Sequence, residues 1–166
     1  MNSLDRVTTL TFDIFGTVLD LTGSIVPAVG VFLARKGMDA DPGEIWRQWR
    51  ARQRLEQHQD TILQLGHAGY LETARRGFRW VCRANGIDCS EAESRQVCEV
   101  FYRLQPFEDT RLGLERLARR YRLVALSNGD PHLLEHLIPN NLGRPEMERI
   151  SVARFGYFKP HPAFYR

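Results

Sequence analysis

The sequence predicts an α/β protein, a parallel sheet interrupted after its first strand by a helical insertion. Three observations carry this. The apolar, β-branched run Val7–Phe12 ends at Gly16, as a buried strand does before a tight loop. The whole stretch from Ser24 to Leu104 reads as helix. Beyond Pro106, "RLVALSNG" from Arg122 and the weaker "RISVARF" from Arg149 alternate with helical stretches. Strands separated by helices pair in parallel through right-handed crossovers, and their sites lie at the carboxyl ends of the strands.

The elements follow from caps and turns. Ser24 is placed to cap a helix that runs to Lys36 and exits at Gly37. In "DPGE", Asp41 is an N-cap, Pro42 the first helical residue, and Glu44 the return arm of a capping box, opening a helix to about Leu65. A third helix, Tyr70–Arg83, gathers Tyr70, Ala74, Phe78, Val81 and Cys82 on one face and closes at Asn85-Gly86. "SEAE" at Ser90–Glu93 is a second capping box, opening a helix to about Leu104. Arg111–Tyr121 is amphipathic through Leu114, Leu117, Ala118 and Tyr121, and Asp130-Pro131 starts a helix after the second strand. The expected division is an α/β core of residues 1–20 and 105–166, with a helical cap of 21–104 between its two parts.

At 166 residues the chain has the size of one domain plus an insertion, and its 43% hydrophobic and 26% charged residues set aside disorder. A net charge of +3 is too small to argue for nucleic acid but suits a small anionic substrate. Trp46 and Trp49 accordingly read as core or interface, not as stacking platforms. Cys82, Cys89 and Cys98 form no CxxC pair and no zinc pattern, so they are expected as reduced thiols. With no signal pattern and no apolar run near the roughly 18 residues a span needs, a cytoplasmic protein with no membrane partner is expected.

Three polar clusters fall where such a sheet puts its site: Asp13 after the first strand, Ser127-Asn128 after the second, and Lys159 past the third. Each alone is commonly a cap or turn residue. Together, "FDIFGTVLD", "LSNGD" and "FKPHPAFY" resemble the first three motifs of the haloacid dehalogenase superfamily, in its order and with a helical cap after the first. The resemblance implies a Rossmann-like, HAD-like core and extends to "WRARQ" in the cap and "ISVARFGYFKP".

Phosphatases of that superfamily carry a second Asp two residues after the nucleophile, to protonate the leaving alkoxide and deprotonate water. Here that position is Phe15. Halide needs no proton, so the pattern resembles the L-2-haloacid dehalogenases, whose chemistry uses neither cofactor nor metal. By this resemblance Asp13 is the nucleophile on C2 of a short L-2-haloacid, forming an ester on the way to the D-2-hydroxy acid. Thr17 orients Asp13, and Lys159 pairs with it and keeps it ionised. Ser127 and the amides of Ile14 and Phe15 bind the substrate carboxylate, Asn128 lines the site, and Tyr165 supports it. Arg50 is preferred over Arg47 as the cap arginine, because "WRARQ" fits the family's pair better than "WRQ". Other readings stay open: a hydrolase or phosphatase acting on another leaving group, or a non-catalytic fragment that self-associates.

The family continues with two more core strands and a fourth motif of Ser, Asn and Asp, whose Asp helps to activate the ester-cleaving water. A chain lacking them is expected to be incomplete in its core. Its first strand is then expected as an apolar edge, open to pairing with another chain, and a homodimer is compatible with the cap's Trp and Leu residues.

Overall fold

The structure, a computed structural model, describes residues 6–165. In chain order it contains β1 (Thr9–Phe12), β2 (Leu19–Asp20), α1 (Leu21–Arg35), α2 (Pro42–Ile62), α3 (Tyr70–Ala84), α4 (Glu91–Cys98) and β3 (Gln105–Pro106). Then follow α5 (Thr110–Ala118), β4 (Arg122–Ser127), α6 (Pro131–Asn140) and β5 (Glu148–Ser151), with single 3-10 turns at Glu99–Arg103, Val152–Phe155 and Pro162–Phe164.

The sheet has the order β1-β4-β5 and is parallel throughout, with Thr9 opposite Arg122 and Val124 opposite Glu148. β4 is central and apolar on both faces, with Leu123, Val124 and Ala125 buried. β1 is not the buried strand that its composition suggests. Thr9 and Thr11 are exposed and Leu10 and Phe12 half-buried, because only β4 pairs with it among the described residues. β5 ends at Ser151, where the Ser151 hydroxyl accepts from the Ala153 amide and turns Val152–Phe155 into 3-10 helix instead of the rest of the expected strand.

The insertion is entered and left through one two-residue antiparallel ladder, Leu19 opposite Pro106 and Asp20 opposite Gln105. This short pair escapes a reading by periodicity. It also moves the first helix cap: Asp20, not Ser24, caps α1 by accepting from the Gly23 amide. Ser24, now inside the helix, accepts from the Gln105 amide and ties α1 to the exit strand.

Asp41 caps α2 through the Gly43 and Glu44 amides as expected, but the Glu44 carboxylate turns outward to Arg47 and Gln48, so no capping box closes. The exposed Arg47 and the half-buried Gln48 side chain compete successfully for it and hold its pKa down at about 2. The Ser90–Glu93 box does close. The helix it starts tightens to 3-10 geometry after Cys98.

α2 and α3 pack closely because Gly77 lies against the backbone of α2; a Cβ there would stand 3.1 Å from the Gln53 nitrogen. The buried face of α2 is partly polar. The Gln53 and Gln57 amides donate to the Tyr70 carbonyl and the Thr73 hydroxyl, and the Trp49 indole N–H donates to the Ala74 carbonyl at 2.6 Å. Cys82, Cys89 and Cys98 are free thiols. No helix among the described residues is long and apolar enough to cross a membrane.

Candidate active site

Asp13 stands just past β1, at the carboxyl end of the sheet. Its Oδ1 accepts from Lys159 Nζ at 2.8 Å, and its Oδ2 from the Thr17 hydroxyl at 3.4 Å. The lysine side chain is mostly buried, at 18% exposure, while the Asp13 carboxylate remains 40% exposed. An anchored cation thus faces an accessible carboxylate. Lys159 also donates to the Leu126 carbonyl at 2.6 Å, so the end of β4 fixes its ammonium.

The loop after β4 holds Lys159 a second way. The Asn128 side-chain oxygen accepts the Lys159 backbone N–H at 2.7 Å. Ser127 is fully buried, and its hydroxyl accepts from the Gly129 amide at 3.1 Å. Ser127 therefore shapes the loop after β4, and Asn128 ties that loop to the segment that carries the lysine.

Ile14 and Phe15 are buried directly after Asp13. The Ile14 carbonyl accepts from the amides of Thr17, Val18 and Leu19, winding the chain into a tight turn through Gly16 at φ 84°. The Phe15 ring stacks on Tyr70 of the insertion, with centroids 4.2 Å apart and planes 14° from parallel. Gly129 makes room for it, because a Cβ there would come within 2.7 Å of that ring.

Of the two candidate arginines, Arg50 joins this group. Its guanidinium donates to the Tyr70 hydroxyl at 3.3 Å and to Gln53 at 3.0 Å. Arg47 is turned to solvent and paired with Glu44. Burial pushes the Tyr70 phenol above its ordinary value, against the attraction of Arg50; the Asp13 charge pushes it the same way as burial. Tyr70 thus sits within the field of both the carboxylate and the arginine. A neighbouring cleft of ≈ 850 Å³ is walled by Phe15, Trp46, Arg47, Arg50, Arg54 and Phe107, though not by Asp13 or Lys159.

Tyr165 does not join the site. It is 62% exposed and packs edge-on against Phe164, because the 3-10 turn Pro162–Phe164 buries Phe164 and directs the next side chain outward.

Sequence reasoning missed Tyr70, taken as a core position of α3, as well as Asp130 and His67. His67 stacks on Phe158 at 3.9 Å, beside Lys159. Burial lowers its pKa below the ordinary 6.5, against the charges of Asp130 and Asp60. As pH falls through 6.5 the unfolded chain then takes up this proton before the folded one, so stability present above 6.5 is lost on acidification. His67→Phe keeps the stack and removes the titration. Thermal melts between about pH 7 and 5 should fall less steeply for H67F than for the parent, and equal slopes would exclude this role for His67.

No group of three or more His, Cys, Asp or Glu among the described residues is arranged to hold a metal ion. The arrangement is a parallel α/β sheet presenting an Asp–Lys pair at its carboxyl edge, with an aromatic and arginine wall supplied by a helical insertion. The chain belongs to the haloacid dehalogenase-like hydrolase family, whose model matches residues 7–166. It is 29% identical to haloacetate dehalogenase H-2 of Moraxella sp. (strain B) over 164 residues, 98% of this chain and 70% of that protein. It is 30% identical to (S)-2-haloacid dehalogenase H-109 of Pseudomonas putida over 153 residues, 90% of this chain and 68% of the relative. Its fold matches the L-2-haloacid dehalogenase of Xanthobacter autotrophicus with a TM-score of 0.85 at 24% identity, over 96% of this chain and 62% of that one.

Proposed function

We propose that the site belongs to a hydrolase of carbon–halogen bonds that converts short L-2-haloacids to D-2-hydroxy acids without a metal. Residues 1–20 and 105–166 then act as the core, and 21–104 as its cap. The observation that carries this reading is Phe15. Two residues beyond a lysine-paired carboxylate, a stacked aromatic occupies the place where proton-assisted phosphate chemistry needs an acid.

In this reading an Asp13 oxygen attacks C2, the C–X bond breaks, and halide leaves with the bonding pair while C2 inverts. Water then adds to the ester carbonyl, regenerating the Asp13 carboxylate and releasing the hydroxy acid and a proton. Lys159, fixed by Leu126 and Asn128, positions the attacking carboxylate. Arg50, held on Tyr70 and Gln53, supplies the positive charge that receives the departing halide. The relatives named above, a haloacetate dehalogenase and an (S)-2-haloacid dehalogenase, support this substrate class.

The test is halide release from the two enantiomers of 2-chloropropionate. Release from the L form alone is expected. Arg50→Ala should lower kcat/KM by about a hundredfold. Arg47→Ala, which removes an exposed pair and leaves the Arg50 bonds to Tyr70 and Gln53 in place, should stay within about twofold. Silence with both enantiomers, together with magnesium-dependent turnover of a phosphate ester, would overturn the reading.

A further inference from the structure

We propose that Asp130 is a positioning residue that clamps the helical insertion to the sheet and so sets the Tyr70–Arg50 wall against Phe15. This rests on the proposed function for its kinetic consequence only.

Asp130 stands at the N-cap position of α6, yet its side chain makes no bond to that helix. It reaches instead to a helix about sixty residues earlier in the chain. Oδ1 accepts the Tyr70 amide at 2.9 Å and Oδ2 the Leu71 amide at 3.0 Å. These are the first two amides of α3, whose own N-cap residue is Gly69 and has no side chain to offer. The cap of α3 is thus supplied in trans, from the core, by a carboxylate placed where the helix dipole favours negative charge.

Gly69 is needed for this exchange. Its φ is +104°, and a Cβ would stand 3.3 Å from Asp130 Oδ1. Asp130 is only 8% exposed, so water competes little for the two bonds.

Tyr70 is the residue through which the clamp acts. Its amide is held by Asp130, its ring stacks on Phe15, and its hydroxyl accepts from Arg50. The same loop carries Asn128, which holds the Lys159 amide. One turn after β4 therefore sets both halves of the site, the lysine through Asn128 and the arginine through Asp130 and Tyr70.

If the clamp is broken, the assembled wall becomes a fraction of the population, and apparent affinity falls by that fraction while the saturated complex still reacts. Asp130→Ala is accordingly expected to raise KM by about tenfold with kcat within about threefold. Asp130→Asn, which keeps one acceptor oxygen and the side-chain volume, should fall between and guards against a misfolded alanine variant.

Two readouts do not need turnover. Amide exchange at Tyr70 and Leu71 should accelerate by about tenfold or more in D130A while the remainder of α3 stays protected. The ring-current shifts that Phe15 and Tyr70 impose on each other should shrink.

A parent chain that releases no halide would remove the proposed reaction, and the exchange and ring-current readouts would still decide the clamp. Unchanged protection of Tyr70 and Leu71 in D130A overturns it. So does a loss of kcat that merely tracks the folded fraction with KM unmoved.

Discussion

Asp13→Asn is expected to lower kcat/KM for L-2-chloropropionate by about 10⁴-fold, the scale of losing a covalent nucleophile. The melting temperature should barely move, because the Asp13 side chain is 40% exposed and its pair with Lys159 is partly solvated. Halide release and thermal unfolding measured on the same preparation check both halves. A variant that keeps activity within tenfold of the parent would take Asp13 out of the nucleophile's role. A variant that loses activity and stability together would make the Asp13–Lys159 pair structural.

Trp49→Ala should be the most destabilising single change in the insertion, costing about 4 kcal/mol. Trp49 is fully buried, packs against Phe78 with ring centroids 4.7 Å apart and against Trp46 at 5.4 Å, and donates its indole N–H to Ala74. Trp49→Phe should cost roughly 1–2 kcal/mol, since it fills much of the space but gives up the indole's bond to the Ala74 carbonyl. With whole domains stable by only about 5–15 kcal/mol, the alanine variant should sit near the folding threshold at ordinary temperature. Denaturant titration gives the order parent, W49F, W49A. An alanine variant as stable as the phenylalanine one would show that the α2–α3 seam is held by its glutamines and Thr73 instead of by the indole.

What was legible from residues alone was what local chemistry decides. The apolar runs of β1 and β4, the Asp41-Pro42 start of α2 and the Ser90–Glu93 box depend on neighbours in the chain. The Asp13–Lys159 pair, 146 residues apart, was placed by a resemblance, and the fold brings it within 2.8 Å. Contacts that a distant segment completes were not legible. Asp130 followed by proline has the local signature of an N-cap for α6, and nothing nearby in the chain shows that a glycine-capped helix some sixty residues earlier takes that carboxylate instead. Tyr70 satisfies the apolar face of α3 equally well as core or as site wall, and only its stack on Phe15 separates the two. Arg47 and Arg50 share one helix and one composition. The outward Glu44 takes the first and leaves the second to Tyr70.

The two-residue ladder of β2 and β3 carries a consequence for how such a chain tolerates change. Leu19 lies opposite Pro106 and Asp20 opposite Gln105, so the helical segment departs and returns at adjacent points of one ribbon. Cut there and rejoined by a two-residue reverse turn, the ribbon becomes an ordinary hairpin with its pairing intact. The helical segment is in this sense a cassette. A change in its length or helix count leaves the Leu19–Pro106 and Asp20–Gln105 pairs in place, provided that the replacement returns an N–H pair to Asp130 and an apolar face to α6.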